Sequence, residues 1–252
     1  MPRIAIFAAL QWECRPVLRQ LQRVTRRHVA GVRAWQGEAA GCDVWLVKTG
    51  IGLHRAAAAA EAVCAMQRFD LLVSTGCAGA LAADLRPGDL TLATGVVCDG
   101  QRFEVDAVRH HRLAKIAVAA RLRCVPGTVL SQAQVLATAA SKRAAAADGC
   151  IAVDMEGGAI AACATRAAIP FVSVRAILDA AETELEPAGA FIDAATGRVK
   201  PVALAGYLAA HPGALSALMG LRAMRHAAEA SLEQFFAAWL QQPLLASGVH
   251  SG

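Results

Sequence analysis

Short, unbroken apolar runs alternate with longer amphipathic or alanine-rich stretches along most of this chain. Residues 4–9, 70–75, 89–97, 125–130, 151–154 and 171–177 are apolar runs bounded by turn residues, the pattern of strands buried on both faces. Residues 32–38 and 43–49 flank Gly41 and read as a hairpin. Helices are predicted over 16–22, 53–67, 108–122, 139–147 and 156–167, the last stopped ahead of Pro170. Pro16 suits the first turn of its helix, where no backbone N–H is required. Two more helices, over 202–210 and 214–240, precede a tail at 247–252 that is expected to fray.

Strands and helices in this order predict an α/β fold, a single three-layer α/β/α domain around a central mixed sheet, spanning residues 1–246. No linker, repeat or charge block divides the chain. In such sheets ligands bind beyond the carboxyl ends of the strands, so the residues there carry the functional information.

Composition narrows the function classes. Of 252 residues, 56% are hydrophobic and 18% charged, which excludes a disordered chain. The net charge is +5, but 21 of the 25 basic residues are arginines scattered along the sequence rather than gathered into a stripe. No nucleic-acid partner is expected from that footprint. Mean hydropathy is +0.42, and the stretch 201–221 lacks acidic residues, yet His211, Pro212 and Gly213 interrupt it. It reads as two short buried helices, with no stable membrane span expected. The apolar run at 4–10 is closed by Glu13 and reads as a first strand rather than a signal peptide, so a cytoplasmic location is expected. The eight cysteines contain no Cys-x-x-Cys and no His/Cys spacing for zinc. They read as buried small hydrophobes, with no metal and no cofactor expected.

The strand ends carry acids and glycines. Gln11-Trp12-Glu13 follows the first strand, and Thr49-Gly50-Ile51-Gly52 opens a helix. Thr75-Gly76-Cys77-Ala78-Gly79, Asp154-Met155-Glu156-Gly157 and Leu178-Asp179 follow later strands. Each has a structural alternative. Gly50-x-Gly52 can be a tight turn, and it is not G-x-G-x-x-G, because position 55 is Arg. Glu13 and Glu156 can be helix-start charges, and Asp179 an N-cap. Together, three acids and two glycine loops on one rim suit glycosidic chemistry, which needs an acid for the leaving group and a base for water.

These segments, with Ser74-Thr-Gly-Cys-Ala-Gly-Ala-Leu81, Arg86-Pro-Gly-Asp89, Val153-Asp-Met-Glu156 and Val174-Arg-Ala-Ile-Leu-Asp179, resemble the nucleoside phosphorylase/nucleosidase superfamily. The likeness runs in order over residues 4–180. It is similar in particular to the methylthioadenosine/S-adenosylhomocysteine nucleosidases and the hopanoid-associated phosphorylases. The resemblance implies that Glu156 binds the ribose hydroxyls, that Met155 packs on the sugar, and that Asp179 protonates purine N7. It implies that Glu13 positions the attacking water, with Gly50, Gly52 and Gly76 on the anion or water side. Arg175 can orient carboxylates or form a structural ion pair.

Three positions depart from the family pattern. Cys77 stands where relatives often carry serine, and Ser74 where some hexameric phosphorylases carry a phosphate-binding arginine. Val135 replaces an aromatic that stacks on adenine. The expected activity is hydrolysis of the N-glycosidic bond of a purine nucleoside or 5′-modified adenosine. Phosphorolysis is the alternative, with inorganic phosphate held by the glycines and Arg55. A non-catalytic nucleoside-binding module is the reading of another class. The segment 182–211 is longer and more apolar than in compact nucleosidases, and can enlarge a pocket or add core. A homodimer or higher homo-oligomer is expected, because relatives complete the site with a neighbouring subunit.

Overall fold

The computed structural model describes residues 1–146, 148–185 and 214–242. The strands are β1 (Arg3–Ala8), β2 (Gln22–Val29), β3 (Val32–Ala39), β4 (Cys42–Lys48), β5 (Leu71–Ala80), β6 (Leu90–Cys98), β7 (Gln101–Glu104), β8 (Cys124–Ser131), β9 (Cys150–Asp154) and β10 (Phe171–Asp179). The helices are α1 (Gln11–Leu18), α2 (Leu53–Met66), α3 (Ala107–Ala119), α4 (Ala139–Ala146), α5 (Gly157–Arg166) and α6 (Ala214–Trp239). The expected helix at 202–210 and the tail at 247–252 lie outside the described residues.

All ten strands join one mixed sheet in the order β10-β6-β8-β9-β5-β1-β4-β3-β2, with β7 paired to β6. β10 also pairs with β5, so β5, β10, β6, β8 and β9 close into a ring while β1 to β4 extend from it as an open wing. β5 lies between β1 and β10 along its first half, and its last residues pair antiparallel with β9 through Gly79↔Val153 and Ala80↔Ala152. That arrangement brings the ends of β1, β5, β9 and β10 together.

Side chains alternate across the sheet into two apolar layers. Ile4, Ile6, Leu71 and Val73 pack with Cys14 and Val17 of α1, Leu113 and Ile116 of α3, and Phe235, Phe236 and Trp239 of α6. Ala5, Phe7, Trp45, Val47 and Leu72 pack with the small residues of α2 and α5 on the other side. This is the three-layer α/β/α arrangement expected from the sequence.

Three local expectations are corrected. The first helix starts at Gln11, five residues before the predicted start, so Pro16 lies in its second turn. Residues 22–29, partly assigned to that helix, form β2 instead, an exposed edge strand carrying Arg23, Arg26 and Arg27. Its polar sequence hides it from hydrophobic periodicity, and its charges discourage pairing with other chains at the edge. The strand expected at 70–75 continues through Gly76 to Ala80.

Candidate active site

A cavity opens at the convergence of these strand ends. Its wall includes Ala9, Leu10 and Glu13 after β1, Cys77 to Gly79 on β5, and Gln134 to Leu136 after β8. Val153 and Asp154 of β9, Met155 and Glu156 after it, Leu178 and Asp179 of β10, Ile51 and Leu185 complete it. Of the sequence-predicted residues, Glu13, Glu156, Asp179, Met155, Cys77 and Val135 line this one space.

Glu13 is buried in the first turn of α1. Its Oε2 accepts from the backbone N–H groups of Ala9 (3.1 Å) and Leu10 (2.8 Å), which satisfies the helix start. Its Oε1 accepts from Cys77 N–H at 2.9 Å, tying the helix to β5. Glu13 is thus both a first-turn helix acid and a wall of the cavity. Gly76 lies just behind it with φ +139°, and a Cβ there would sit 2.8 Å from Glu13 Oε1. Only glycine supplies that backbone and that space without strain.

Glu156 is the N-cap residue of α5, yet its side chain does not cap the helix. Asp154 does so, accepting from Glu156 N–H (3.2 Å) and Gly157 N–H (3.1 Å) through Oδ1, while Ser131 Oγ accepts from Gly158 N–H. Glu156 is left to accept a 2.8 Å bond from Gly52 N–H across the cavity mouth. Burial and then Asp154 raise its pKa to about 7, with Glu13 adding to the rise and Arg175 and the Gly52 bond opposing it.

Beneath these acids lies Arg175, 1% exposed. Its Nη2 stands 2.7 Å from Asp154 Oδ2 and donates to Ser74 Oγ. Burial works against its charge, but Asp154, Glu156 and Glu13 outweigh that and push its pKa up. Both sequence readings of Arg175 therefore hold, since one ion pair also holds the residue that shapes the Glu156 turn. Burial and the adjoining Glu13 carboxylate push the Cys77 thiol well above its ordinary value, so it is no ready nucleophile.

Asp179 reaches the cavity through a β-bulge. β10 pairs regularly with β5 up to Ile177↔Ala78, then skips Leu178 so that Asp179 stands opposite Gly79. A Cβ on Gly79 would come within 3.3 Å of Asp179 Oδ2, so glycine leaves room for the carboxyl. Burial raises the Asp179 pKa despite the adjoining Lys142, whose Nζ lies 2.5 Å from Oδ2.

The glycine-loop expectations divide. Gly52 reaches the site through its N–H, but Gly50 and Arg55 do not line the cavity. They line a separate outer recess with Arg33, Lys48 and Thr49. Among the described residues, the cavity wall contains no lysine or arginine. Sequence reasoning quoted Asp154 and Gly79 within its strand-end motifs without giving either a role, and it missed Lys142. The Asp-x-Glu and Gly-x-x-Gly spacings were visible signals for the first two. Lys142, in an alanine-rich helix, gave none.

The chain belongs to the phosphorylase superfamily, whose family model matches residues 3–206. It is 27% identical over 219 residues to the 5′-methylthioadenosine/S-adenosylhomocysteine nucleosidase of Aeromonas salmonicida, covering 77% of this chain and 93% of that one. The fold is similar to that nucleosidase from Neisseria meningitidis in complex with methylthio-immucillin-A, with TM-score 0.76, 20% identity, and 96% and 99% of the two chains covered. It is also similar to the native futalosine hydrolase of Helicobacter pylori, with TM-score 0.74, 17% identity, and 94% and 95% covered.

Proposed function

We propose that this protein is a nucleosidase that hydrolyses the N-glycosidic bond of a purine nucleoside carrying a 5′ substituent, with 5′-thio-substituted adenosines as the leading substrates. The observation that carries this reading is the convergence of Glu13, Glu156 and Asp179, all buried, on one cavity. The likeness to nucleosidases and to a futalosine hydrolase supports hydrolysis.

In this reading Asp179 gives its proton to N7 of the base, and the C1′–N9 electron pair leaves with a neutral purine. Its raised pKa suits a carboxyl that must hold a proton near neutrality. Glu156 grips the ribose hydroxyls and, once ionised, favours the cationic ribosyl group. Met155 packs on the sugar. Glu13, held by three backbone N–H groups, orients the water that attacks C1′ and takes its proton. Gly76 gives Glu13 its place, Gly52 holds Glu156, and Val135 and Cys77 border the base. No cofactor takes part.

We also place the protein in the cytoplasm as a homo-oligomer. The eight cysteines are free thiols, which suits a reducing compartment. No helix among the described residues is long and apolar enough to cross a membrane.

A panel of adenosine, inosine, methylthioadenosine and S-adenosylhomocysteine, assayed for released base, tests the activity. Base release from the thio-substituted adenosines that disappears in Glu13→Gln and Glu156→Gln is expected. Tight binding with no release from any member would leave the chain a nucleoside-binding module.

A further inference from the structure

We infer that Lys142 is a positioning residue for Asp179, fixing one carboxyl oxygen so that the other presents its proton to the departing base. The inference rests on the reading of Asp179 as the general acid.

Lys142 occupies an unusual place. α4 has the sequence AASKRAAA, alanine-rich and short, yet Lys142 on it is 1% exposed. A buried lysine is rare unless it is paired, and its partners explain this one. Its Nζ donates to Asp179 Oδ2 at 2.5 Å, to the Ala180 carbonyl at 2.8 Å and to the Thr183 carbonyl at 2.9 Å. Three acceptors match the three N–H donors of a lysine ammonium. The helix is itself anchored to the same loop. Glu184 accepts from Ala139 N–H at 3.2 Å, and Leu185 N–H donates to the Ala137 carbonyl at 2.7 Å.

The consequence for Asp179 is directional. Oδ2 is committed to the ammonium, and among the described residues Oδ1 has no hydrogen-bond partner. Asp179 lines the cavity, so Oδ1 is the oxygen available to carry the transferable proton. When that proton moves to N7 and the C1′–N9 bond breaks, the residue becomes a carboxylate already paired with a cation. The loop clamp would by itself make Lys142 structural; the geometry at Oδ2 makes it more than that. Other groups around Asp179 are Glu13, Cys77 and Glu156 in the cavity wall, Arg175 earlier on β10, and Glu184 on the loop. Lys142 is the charge bonded to it.

The test compares wild type, Lys142→Met, Lys142→Gln and Asp179→Asn on two substrates. One is methylthioadenosine, whose base leaves only with a proton. The other is the 4-nitrophenyl 5-methylthioriboside, whose leaving group needs none. Lys142→Met is expected to lower kcat for methylthioadenosine by about 10–100-fold, a part of the roughly 10²–10⁴-fold that general-acid help supplies, with little change in KM. The nitrophenyl substrate should change little. The alkaline limb of the pH profile should move up, because removing a neighbouring cation favours the protonated carboxyl.

Equal losses on both substrates, or an unmoved alkaline limb, would make Lys142 a loop clamp only and overturn the inference. If Asp179→Asn itself loses both substrates equally, it is the reading of Asp179 that falls. Should both lysine variants fail to fold, wild type still decides. The chain has only four lysines, and a protein labelled with ¹⁵N at lysine Nζ should give one slowly exchanging NH₃⁺ signal that Asp179→Asn displaces. No such signal, or one that Asp179→Asn leaves in place, would contradict the assignment.

Discussion

Arg175 Nη2 stands 2.7 Å from Asp154 Oδ2, and this buried ion pair underlies the turn that presents Glu156. Asp154 uses one oxygen for the arginine and the other for the first N–H groups of α5. Asp154→Asn keeps an oxygen for the helix but leaves the arginine without its counter-charge. Breaking a buried pair by removing one partner costs about 3–5 kcal/mol, and a loss of that size is expected in urea unfolding. Asp154 also helps raise the Glu156 pKa. In the folded variant, the acid limb of kcat/KM should therefore lie below that of the wild type, where Glu156 places it near 7. An acid limb that stays put would mean that Glu156 does not govern it.

Glu156→Gln should nearly abolish turnover, by about 10²–10³-fold, as loss of one electrostatic contact to a transition state commonly does. The same change should stabilise the empty protein in a pH-dependent way. The folded pKa of Glu156, about 7, lies above its ordinary value of 4.5. The native state then binds more protons between these values, so stability from this group is present below 4.5 and is lost as pH rises to 7. Glutamine stays neutral and keeps an oxygen for Gly52 N–H. The variant's Tm advantage should be largest at pH 8 and shrink towards pH 5, with a ceiling of about 3 kcal/mol. A variant less stable than wild type at pH 8 would contradict the burial argument.

Much of this was legible in the sequence, for definite reasons. The runs that became β1, β5, β6 and β10 are apolar because both faces of each strand are covered, and Glu13, Glu156 and Asp179 stand out as acids just beyond such runs. What was hidden depended on pairing. The bulge that skips Leu178 to set Asp179 opposite Gly79 is a relation between two strands 100 residues apart. The burial of Lys142 depends on the loop after β10, whose Ala180 and Thr183 carbonyls accept from it, a contact that its own helix sequence does not announce. Arg55 seemed one turn from the anion side, but the start of α2 directs it to the outer recess. β2 escaped notice because an exposed edge strand has no buried face to leave a period.

Gly76→Ala tests the packing behind Glu13. The new Cβ would sit 2.8 Å from Glu13 Oε1 at φ +139°, so the carboxylate must move. Strain of this kind costs about 1–3 kcal/mol, and activity should fall further than stability does. Gly41→Ala is the control. It also has positive φ, +77°, but open space, so it should lose stability alone. Equal activity in the two variants would detach Glu13 from the chemistry.

The oligomeric state is checked by sedimentation velocity. A species of at least twice the 26.2 kDa chain mass is expected at micromolar concentration. A fully active monomer would remove the homo-oligomer proposal.

The identity of the sugar product tests the proposed reaction most directly. Methylthioadenosine is incubated with the wild-type protein in phosphate-free buffer and again with inorganic phosphate, and the sugar product is identified by NMR. Hydrolysis predicts adenine and free 5-methylthioribose at the same rate in both buffers, with Glu13→Gln inactive in each. Quantitative 5-methylthioribose 1-phosphate, with no turnover in the absence of phosphate, would contradict it and make the protein a phosphorylase.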